Sequence, residues 1–261
     1  MQIQRLSAPL GAIVNGLDVR EASQETLQKL QDLFNEFKVL VFPGQKLTPE
    51  DHMRFAGNWG KLIRHPYAGL ESYPDIIELK NAGKKRDVNQ HWHSDMTYNT
   101  APPKMTMLYA LEAPSIGGDT AFSNQVLAYQ NLSDGMKQTL GQLAAVHTAA
   151  GLARLYKQDS AKAPRAEHPV VREHDETREK ALYVCRAFTS RFVDWSLQES
   201  APLLEYLFKQ STRPEYQARH HWKKGDLVMW DNRALLHFAV HDHADEPRTI
   251  HRVQIEGSAP V

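Results

Sequence analysis

The chain has 261 residues, 41% of them apolar and 24% charged, with a formal net charge of zero and an isoelectric point near 7.2. That length suits one sizeable domain, and a folded chain of this size buries roughly 70–75% of its unfolded surface. Balanced charge excludes the basic footprint that nucleic-acid or anionic-membrane binding requires, so the expected partner is a small molecule. Cys185 is the one cysteine, which excludes an intrachain disulfide and points to a reducing, cytoplasmic setting. The N-terminus lacks the apolar core of a secretory signal, and no run of about 18 apolar residues would span a membrane.

Residues 10–17 read as a short strand broken by glycines, after which Leu27, Leu30, Leu33, Phe34 and Phe37 recur at helical spacing. Residues 38–42 form a buried strand. Thr48 stands where it caps the next helix, with Pro49 in the first helical position. A polar loop carries Arg64, His65, Pro66 and Tyr67, followed by a strand over 75–79 and a basic tip at Lys84-Lys85-Arg86. The segment His91-Trp92-His93-Ser94-Asp95 reads as extended. Residues 105–111 alternate as a strand, and Gly117-Gly118-Asp119-Thr120 turns the chain into the next one at Ala121-Phe122. Ser123 is expected to cap a helical stretch through Tyr129, and Ser133 another before a strand at 144–147, where His147 is a strand or loop histidine. Residues 151–168 are polar and read as a mobile insertion, a possible lid. Strands at 168–172 and 182–185 pair around 173–181, and a helix over 197–211 braces the molecule from outside. Strands over 227–231, around His237 and over 248–255 complete the chain. Short strands with interleaved turns and flanking helices predict a mostly β fold, a sandwich or jelly roll buttressed by helices.

In an extended segment alternate side chains share a face, so His93 and Asp95 project together and can hold one ion. The third ligand must come from far along the chain. His237 supplies it, on an apolar strand after Trp230-Asp231-Asn232-Arg233. Two imidazoles and a carboxylate make a facial triad that leaves positions on Fe(II) open for a chelating co-substrate and O₂. Arg248 lies eleven residues beyond His237, and Arg252 four beyond that. Even spacing on a strand points both guanidiniums the same way, suited to bidentate pairing with a carboxylate or sulfonate.

Taken together, His93-x-Asp95, the Gly117-Gly118-Asp119-Thr120 turn, Trp230-Asp231-Asn232-Arg233 with His237, and Arg248 with Arg252 resemble the ordered motif set of the taurine dioxygenase family. These are Fe(II)- and 2-oxoglutarate-dependent oxygenases that include the 2,4-dichlorophenoxyacetate and alkylsulfate enzymes. The resemblance implies a double-stranded β-helix of jelly-roll, cupin-like form, with Fe(II) held by His93, Asp95 and His237. It further implies that Arg248 and Thr120 bind the distal carboxylate of 2-oxoglutarate and that Arg252 holds an anionic group of the substrate. His65, Tyr67, Asn89 and Phe188 are implied to line the substrate pocket. The implied reaction uses O₂ to hydroxylate, and in some cases thereby cleave, a small anionic substrate such as a sulfonate, sulfate ester or aryloxy acid, releasing succinate and CO₂. Family members are commonly dimers or tetramers.

The same iron site also serves desaturation of amino-acid-derived substrates such as isonitriles. From another class, His91, His93 and His237 would form a zinc site in a cupin-like hydrolase or isomerase, with Arg248 in a core salt bridge. A catalytically silent binding module would need a broken triad or a missing anchor arginine, and the sequence has neither. Phe188 reads equally well as a core aromatic. His91 is expected to face solvent or to support the site, and His220, His221, His241 and His243 to lie on the surface.

Overall fold

The computed structural model describes every residue except 66, 67, 82–90, 244 and 245, and only the backbone of residue 81. Tyr67 and Asn89 therefore lie outside the described residues. Strands β1 (Gln2–Arg5) and β2 (Ala12–Asn15) pair antiparallel and lead to helix α1 (Gln24–Phe37). Ser23 caps α1 by accepting from the Thr26 amide, and Leu30, Phe34 and Phe37 are its buried face. Strand β3 (Val39–Phe42) follows at once. Helix α2 (Pro49–Ala56) begins in a reciprocal capping box between Thr48 and Asp51, as the Thr-Pro signal indicates.

The middle of the chain supplies β4 (Gly69–Leu70), β5 (Tyr73–Asn81), β6 (Met105–Glu112) and β7 (Thr120–Asn124). Helices α3 (Gln125–Gln130) and α4 (Asp134–Leu140) precede β8 (Ala144–Thr148). The cap of α3 is Asn124 and not Ser123: the Asn124 side chain accepts from the Val126 and Leu127 amides. Ser123 is still in β7, and its hydroxyl donates to the Ser211 carbonyl. Residues 151–168, expected to be a mobile insertion, contain most of helix α5 (Ala150–Leu155), a 3₁₀ turn at 160–162 and most of β9 (Arg165–Pro169), which pairs along β8. The hairpin of β10 (Val171–Glu173) and β11 (Lys180–Leu182), then β12 (Thr189–Phe192), α6 (Leu197–Ser211), β13 (Gln217–His220), β14 (Leu227–Asp231), β15 (Leu235–Ala239) and β16 (Arg248–Ile255) complete it. Among the described residues no helix is long and apolar enough to cross a membrane.

Eight strands form one sheet in the order β1-β2-β3-β14-β6-β16-β5-β4, and β13-β7-β15 form a second. Strand alternation divides the core of the large sheet in two. Leu40, Phe42, Met105, Met107, Leu227, Met229, Val253 and Ile255 pack on the α1 and α2 side. Val39, Val41, Leu108, Ala110, Val228, Trp230 and Ile250 point the other way and meet Phe122, Ala218 and Leu235 of the small sheet. Residues 248, 252 and 254 share the parity of Ile250, so they belong to this inner face between the sheets. A further core around α3, α4 and α6 packs β8 and β12.

The hairpin β10–β11 is joined to this scaffold by a buried ionic network. Arg233 donates through Nε and Nη2 to the two oxygens of Asp231 at 2.9 and 2.7 Å, and through Nη1 to Asp175 and Glu176 at 3.0 and 2.8 Å. His174 Nε2 reaches Asp231 Oδ2 at 2.9 Å. Burial alone would raise the Asp231 carboxyl, but Arg233 and His174 overcome it and hold it well below the usual carboxylate range.

On α2, His52 is 1% exposed, and neither ring nitrogen has a hydrogen-bond partner among the described residues. Burial, and secondarily His251, depress its pKa from 6.5 to about 3. Because the folded value lies below the unfolded one, unfolding takes up a proton in this window, so stability present above pH 6.5 is lost as pH falls toward 3. The expected contribution is a slope approaching about 1.4 kcal/mol per pH unit. Thermal midpoints measured from pH 7 to 4 should fall less steeply for His52→Leu than for the wild type; parallel curves would contradict the assignment.

Candidate metal centre

His93 and His237 face each other across a single antiparallel bridge, with His93 N donating to His237 O at 3.0 Å and His237 N to His93 O at 2.7 Å. The His-x-Asp segment is therefore not the strand its spacing suggests. It makes one bridge and then turns from Asp95, with Met96 in the left-handed region at φ 48°. The side chains converge all the same. Asp95 Oδ1 lies 3.7 Å from His93 Nε2 and 3.6 Å from His237 Nε2. These separations are too long for hydrogen bonds, yet all three atoms are within reach of one ion bound at about 2 Å. His93, Asp95 and His237 are buried and form the one cluster of potential metal ligands among the described residues.

The protonation states suit a divalent cation. His93 Nδ1 is 2.7 Å from the His91 carbonyl, which can only accept, so the proton sits on Nδ1 and the Nε2 lone pair is left for metal. His91 thus supports the site through its backbone. Its side chain is exposed and stands outside the cluster, where the zinc alternative needed it as a ligand. Burial, then repulsion from His93, pull His237 down to about 3 and keep it neutral. Burial pushes the Asp95 carboxyl up, but His237, Arg252, His93 and the Thr106 hydroxyl together bring it to about 2, so it is a carboxylate. The donor set fits Fe(II).

Arg248 and Thr120 are linked through Trp222. Arg248 is buried; its Nε donates to the Gly118 carbonyl at 3.1 Å and its guanidinium lies over the Trp222 ring at 5.6 Å. Trp222 Nε1 donates to Thr120 Oγ1 at 3.0 Å, which leaves the Thr120 hydrogen available for an acceptor elsewhere. Burial lowers Arg248 to about 10, against the pull of Asp119, so it stays cationic at neutral pH. No carboxylate lies at ion-pair distance from it among the described residues. The glycine turn beneath is held by the Gly118 amide donating to Asp242 at 2.8 Å, and by Arg219 and His221 on Asp119.

Two of the four histidines expected on the surface are interior. His220 lies on the buried parity of β13, 3.2 Å from Asp226, and His243 is 6% exposed beside Gly118.

Arg252 is half-buried, and its Nε is buried without a hydrogen-bond partner among the described residues. Its charge acts on Asp95, His237 and His65. His65 is lowered by burial and then by the charge of Arg252. Phe188 is buried in a small cluster with Cys185 and Leu236, as its core reading expects, and its ring meets His93 edge-on at 6.1 Å. Tyr98, which sequence reasoning missed, packs edge-on against Phe188 at 5.1 Å, and burial followed by Asp95 raises its pKa. Trp222 was missed as well. Each is a lone aromatic outside any motif, so no local pattern marks it.

The family model described as taurine catabolism dioxygenase TauD, TfdA family matches residues 2–254. An alkylsulfatase of Acinetobacter baylyi is 34% identical over 272 residues, covering 98% of this chain and 85% of the relative. An alpha-ketoglutarate-dependent sulfate ester dioxygenase of Pseudomonas putida is 31% identical, covering 100% of this chain and 91% of the relative. A crystal structure of a taurine dioxygenase from Burkholderia xenovorans matches with a TM-score of 0.88 at 31% identity, covering 100% of this chain and 90% of that one. The two-sheet architecture is accordingly the double-stranded β-helix that the motif resemblance implied.

Gly118 sits at φ +66°, where an added Cβ would lie 2.8 Å from Pro114 Cγ and 3.3 Å from both Arg248 Cδ and His243 Nδ1. Gly16, at φ +70°, has open space instead. Both alanine variants incur the left-handed backbone cost of about 1–2 kcal/mol, and only Gly118→Ala adds overpacking of about 1–3 kcal/mol. Denaturant unfolding should therefore rank Gly118→Ala clearly below Gly16→Ala. Equal losses would mean that the turn is not packed against Arg248.

Proposed function

The chain belongs to the taurine catabolism dioxygenase TauD, TfdA family, and on that premise we propose that it oxidises a small organosulfur anion, with an alkyl sulfate ester as the leading substrate class. It is an Fe(II)- and 2-oxoglutarate-dependent dioxygenase that uses O₂. The iron, once bound with its keto-acid co-substrate, supplies the activation of O₂ and the C–H oxidation. Everything else falls to side chains.

In this proposal His93, Asp95 and His237 hold the iron. Arg248 and Thr120 take the distal carboxylate of 2-oxoglutarate. That role is supported by a buried guanidinium with no carboxylate at ion-pair distance among the described residues and by a hydroxyl whose hydrogen is available. A buried cation left uncompensated is costly, and a charge-assisted contact to a carboxylate contributes roughly 1.5–3 kcal/mol. Arg252, together with His65, holds the sulfate, while Phe188 and Tyr98 exclude water from the carbon chain. Tyr67 and Asn89 stay assigned to the substrate pocket on the family resemblance alone. In this proposal 2-oxoglutarate would lose its C1 carboxylate as CO₂ and take one atom of O₂ into succinate, and the other atom would become a hydroxyl on the carbon that carries the sulfate. The C–O bond to sulfate then breaks, giving an aldehyde and inorganic sulfate.

The observation that carries this reading is the buried, unpartnered Nε of Arg252 in the field of the metal-binding carboxylate. A fixed guanidinium fork suits a tetrahedral oxyanion, and the two curated relatives described above are named for sulfate ester and alkylsulfate chemistry. A cytoplasmic setting is supported by the sole cysteine being a buried free thiol. A dimeric or tetrameric assembly rests on the family resemblance.

Succinate release measured with alkyl sulfates, taurine and phenoxyacetate should be greatest with the alkyl sulfates and be accompanied by stoichiometric sulfate. Arg252→Ala should raise the substrate KM at least tenfold, the equivalent of about 1.4 kcal/mol, while 2-oxoglutarate affinity changes less than twofold. Succinate formation that no sulfate ester stimulates would rule out the substrate class, and an unchanged KM would remove Arg252 from the role.

A further inference from the structure

Asp95 has two oxygens, and only Oδ1 faces the two imidazoles. The other, Oδ2, is surrounded by three neutral donors from three parts of the chain: Thr106 Oγ1 at 2.6 Å, Gln254 Nε2 at 3.1 Å and Asn232 Nδ2 at 3.5 Å. Thr106 and Gln254 stand directly opposite each other in the register of β6 and β16, and both are 0% exposed. Each has the strand parity that faces the space between the sheets. Asn232 enters from the turn after β14.

The donors and acceptors of this group can be arranged in only one way. The Trp230 indole can only donate, and it donates to Asn232 Oδ1 at 3.0 Å, which fixes that amide with Nδ2 toward Thr106. Asn232 Nδ2 is 3.0 Å from Thr106 Oγ1, and Gln254 Nε2 is 3.3 Å from the same oxygen. A hydroxyl has two lone pairs and one hydrogen. Both lone pairs face amide hydrogens, so the one hydrogen goes to Asp95 Oδ2, the shortest contact of the set. Proton direction runs Trp230 to Asn232 to Thr106 to Asp95, with Gln254 donating alongside.

We infer that Thr106 is a positioning residue, which together with Gln254 and Asn232 restricts Asp95 to binding metal through Oδ1 alone and sets how strongly it donates. This deepens the metal assignment above and rests on it. With Oδ2 committed to these donors, the carboxylate cannot swing to chelate with both oxygens, which would close a coordination position that the co-substrate or O₂ needs. The donors are uncharged, so Asp95 keeps its full negative charge for the ion, and their hydrogen bonds draw electron density toward Oδ2 and away from the ligating oxygen. Partners of this kind typically alter metal affinity about 10–100-fold when removed.

The test uses the full-length apoprotein titrated anaerobically with Co(II). Affinity and the visible d–d absorption, which reports coordination number, are read together with the thermal midpoint. Wild type and Thr106→Ser should bind one Co(II) with the same spectrum. Thr106→Val, close in volume but without the hydroxyl, and Gln254→Leu should bind at least tenfold more weakly with an altered spectrum. A folded Thr106→Val protein with wild-type affinity and absorption would overturn the inference. Should the valine variant not fold, Gln254→Leu decides: weakened binding with a changed spectrum supports the inference, and unchanged binding overturns it. Failure of the wild type to bind Co(II) would instead overturn the metal assignment, and this inference with it.

Discussion

A carboxylate charge buried between two sheets governs the layout of this molecule. Asp95 is 5% exposed, and an isolated ionised carboxyl at that depth would take back its proton. It remains ionised because its surroundings divide between its two oxygens. Oδ1 lies 3.6 and 3.7 Å from the Nε2 atoms of His237 and His93; Thr106, Gln254 and Asn232 donate to Oδ2, and the charge of Arg252 draws the carboxyl further down. The arrangement requires three remote segments to meet, and the fold supplies them. The 93–95 turn is fastened to β15 by one two-way bridge, while β6 and β16 pair in the register that puts Thr106 opposite Gln254.

Strand β16 acts as a ruler for the chemistry. Residues 248, 252 and 254 share one face, so the proposed co-substrate anchor, the proposed substrate anchor and a residue that donates to the Asp95 carboxylate are set along a single backbone. Neighbouring strands on both sides fix its position: β6 from Thr249 to Ile255 and β5 from Arg248 to Arg252. Little of this face can shift without the rest. Asp231 and Arg233, by contrast, belong to the scaffold despite lying in a motif with functional neighbours. Their charges are consumed by each other and by His174, Asp175 and Glu176, which ties the β10–β11 hairpin to the end of β14 and the turn after it. Asn232 lies between them in sequence and is the member of that motif that reaches the Asp95 carboxylate.

Features carried by local chemistry were legible in the sequence. Thr48 and Pro49 start α2, and the helix expected over 197–211 is α6. The even spacing of Arg248 and Arg252 gave their common face. His93, Asp95 and His237 were found by residue type and spacing, although the local geometry is a bridge and a turn instead of a strand. Ser123 was expected to cap α3, but Asn124 does so, because Ser123 is committed to the Ser211 carbonyl 88 residues away. Remote partners likewise hid Thr106 and Gln254, which are 148 residues apart and ordinary in their own strands. His220 and His243 look like surface histidines among polar neighbours, and only strand parity and the packing around Gly118 bury them. The polarity of residues 151–168 masks the pairing of β9 along β8, whose residues alternate between exposed and buried.

The most direct measurement is an anaerobic titration of the purified protein with Fe(II) and 2-oxoglutarate, following the weak visible charge-transfer absorption of a metal-chelated keto acid, with Asp95→Ala alongside. A band that saturates at one equivalent in the wild type and is missing from the variant is the result this account predicts. No band in the wild type, or an equal band in the variant, would contradict it.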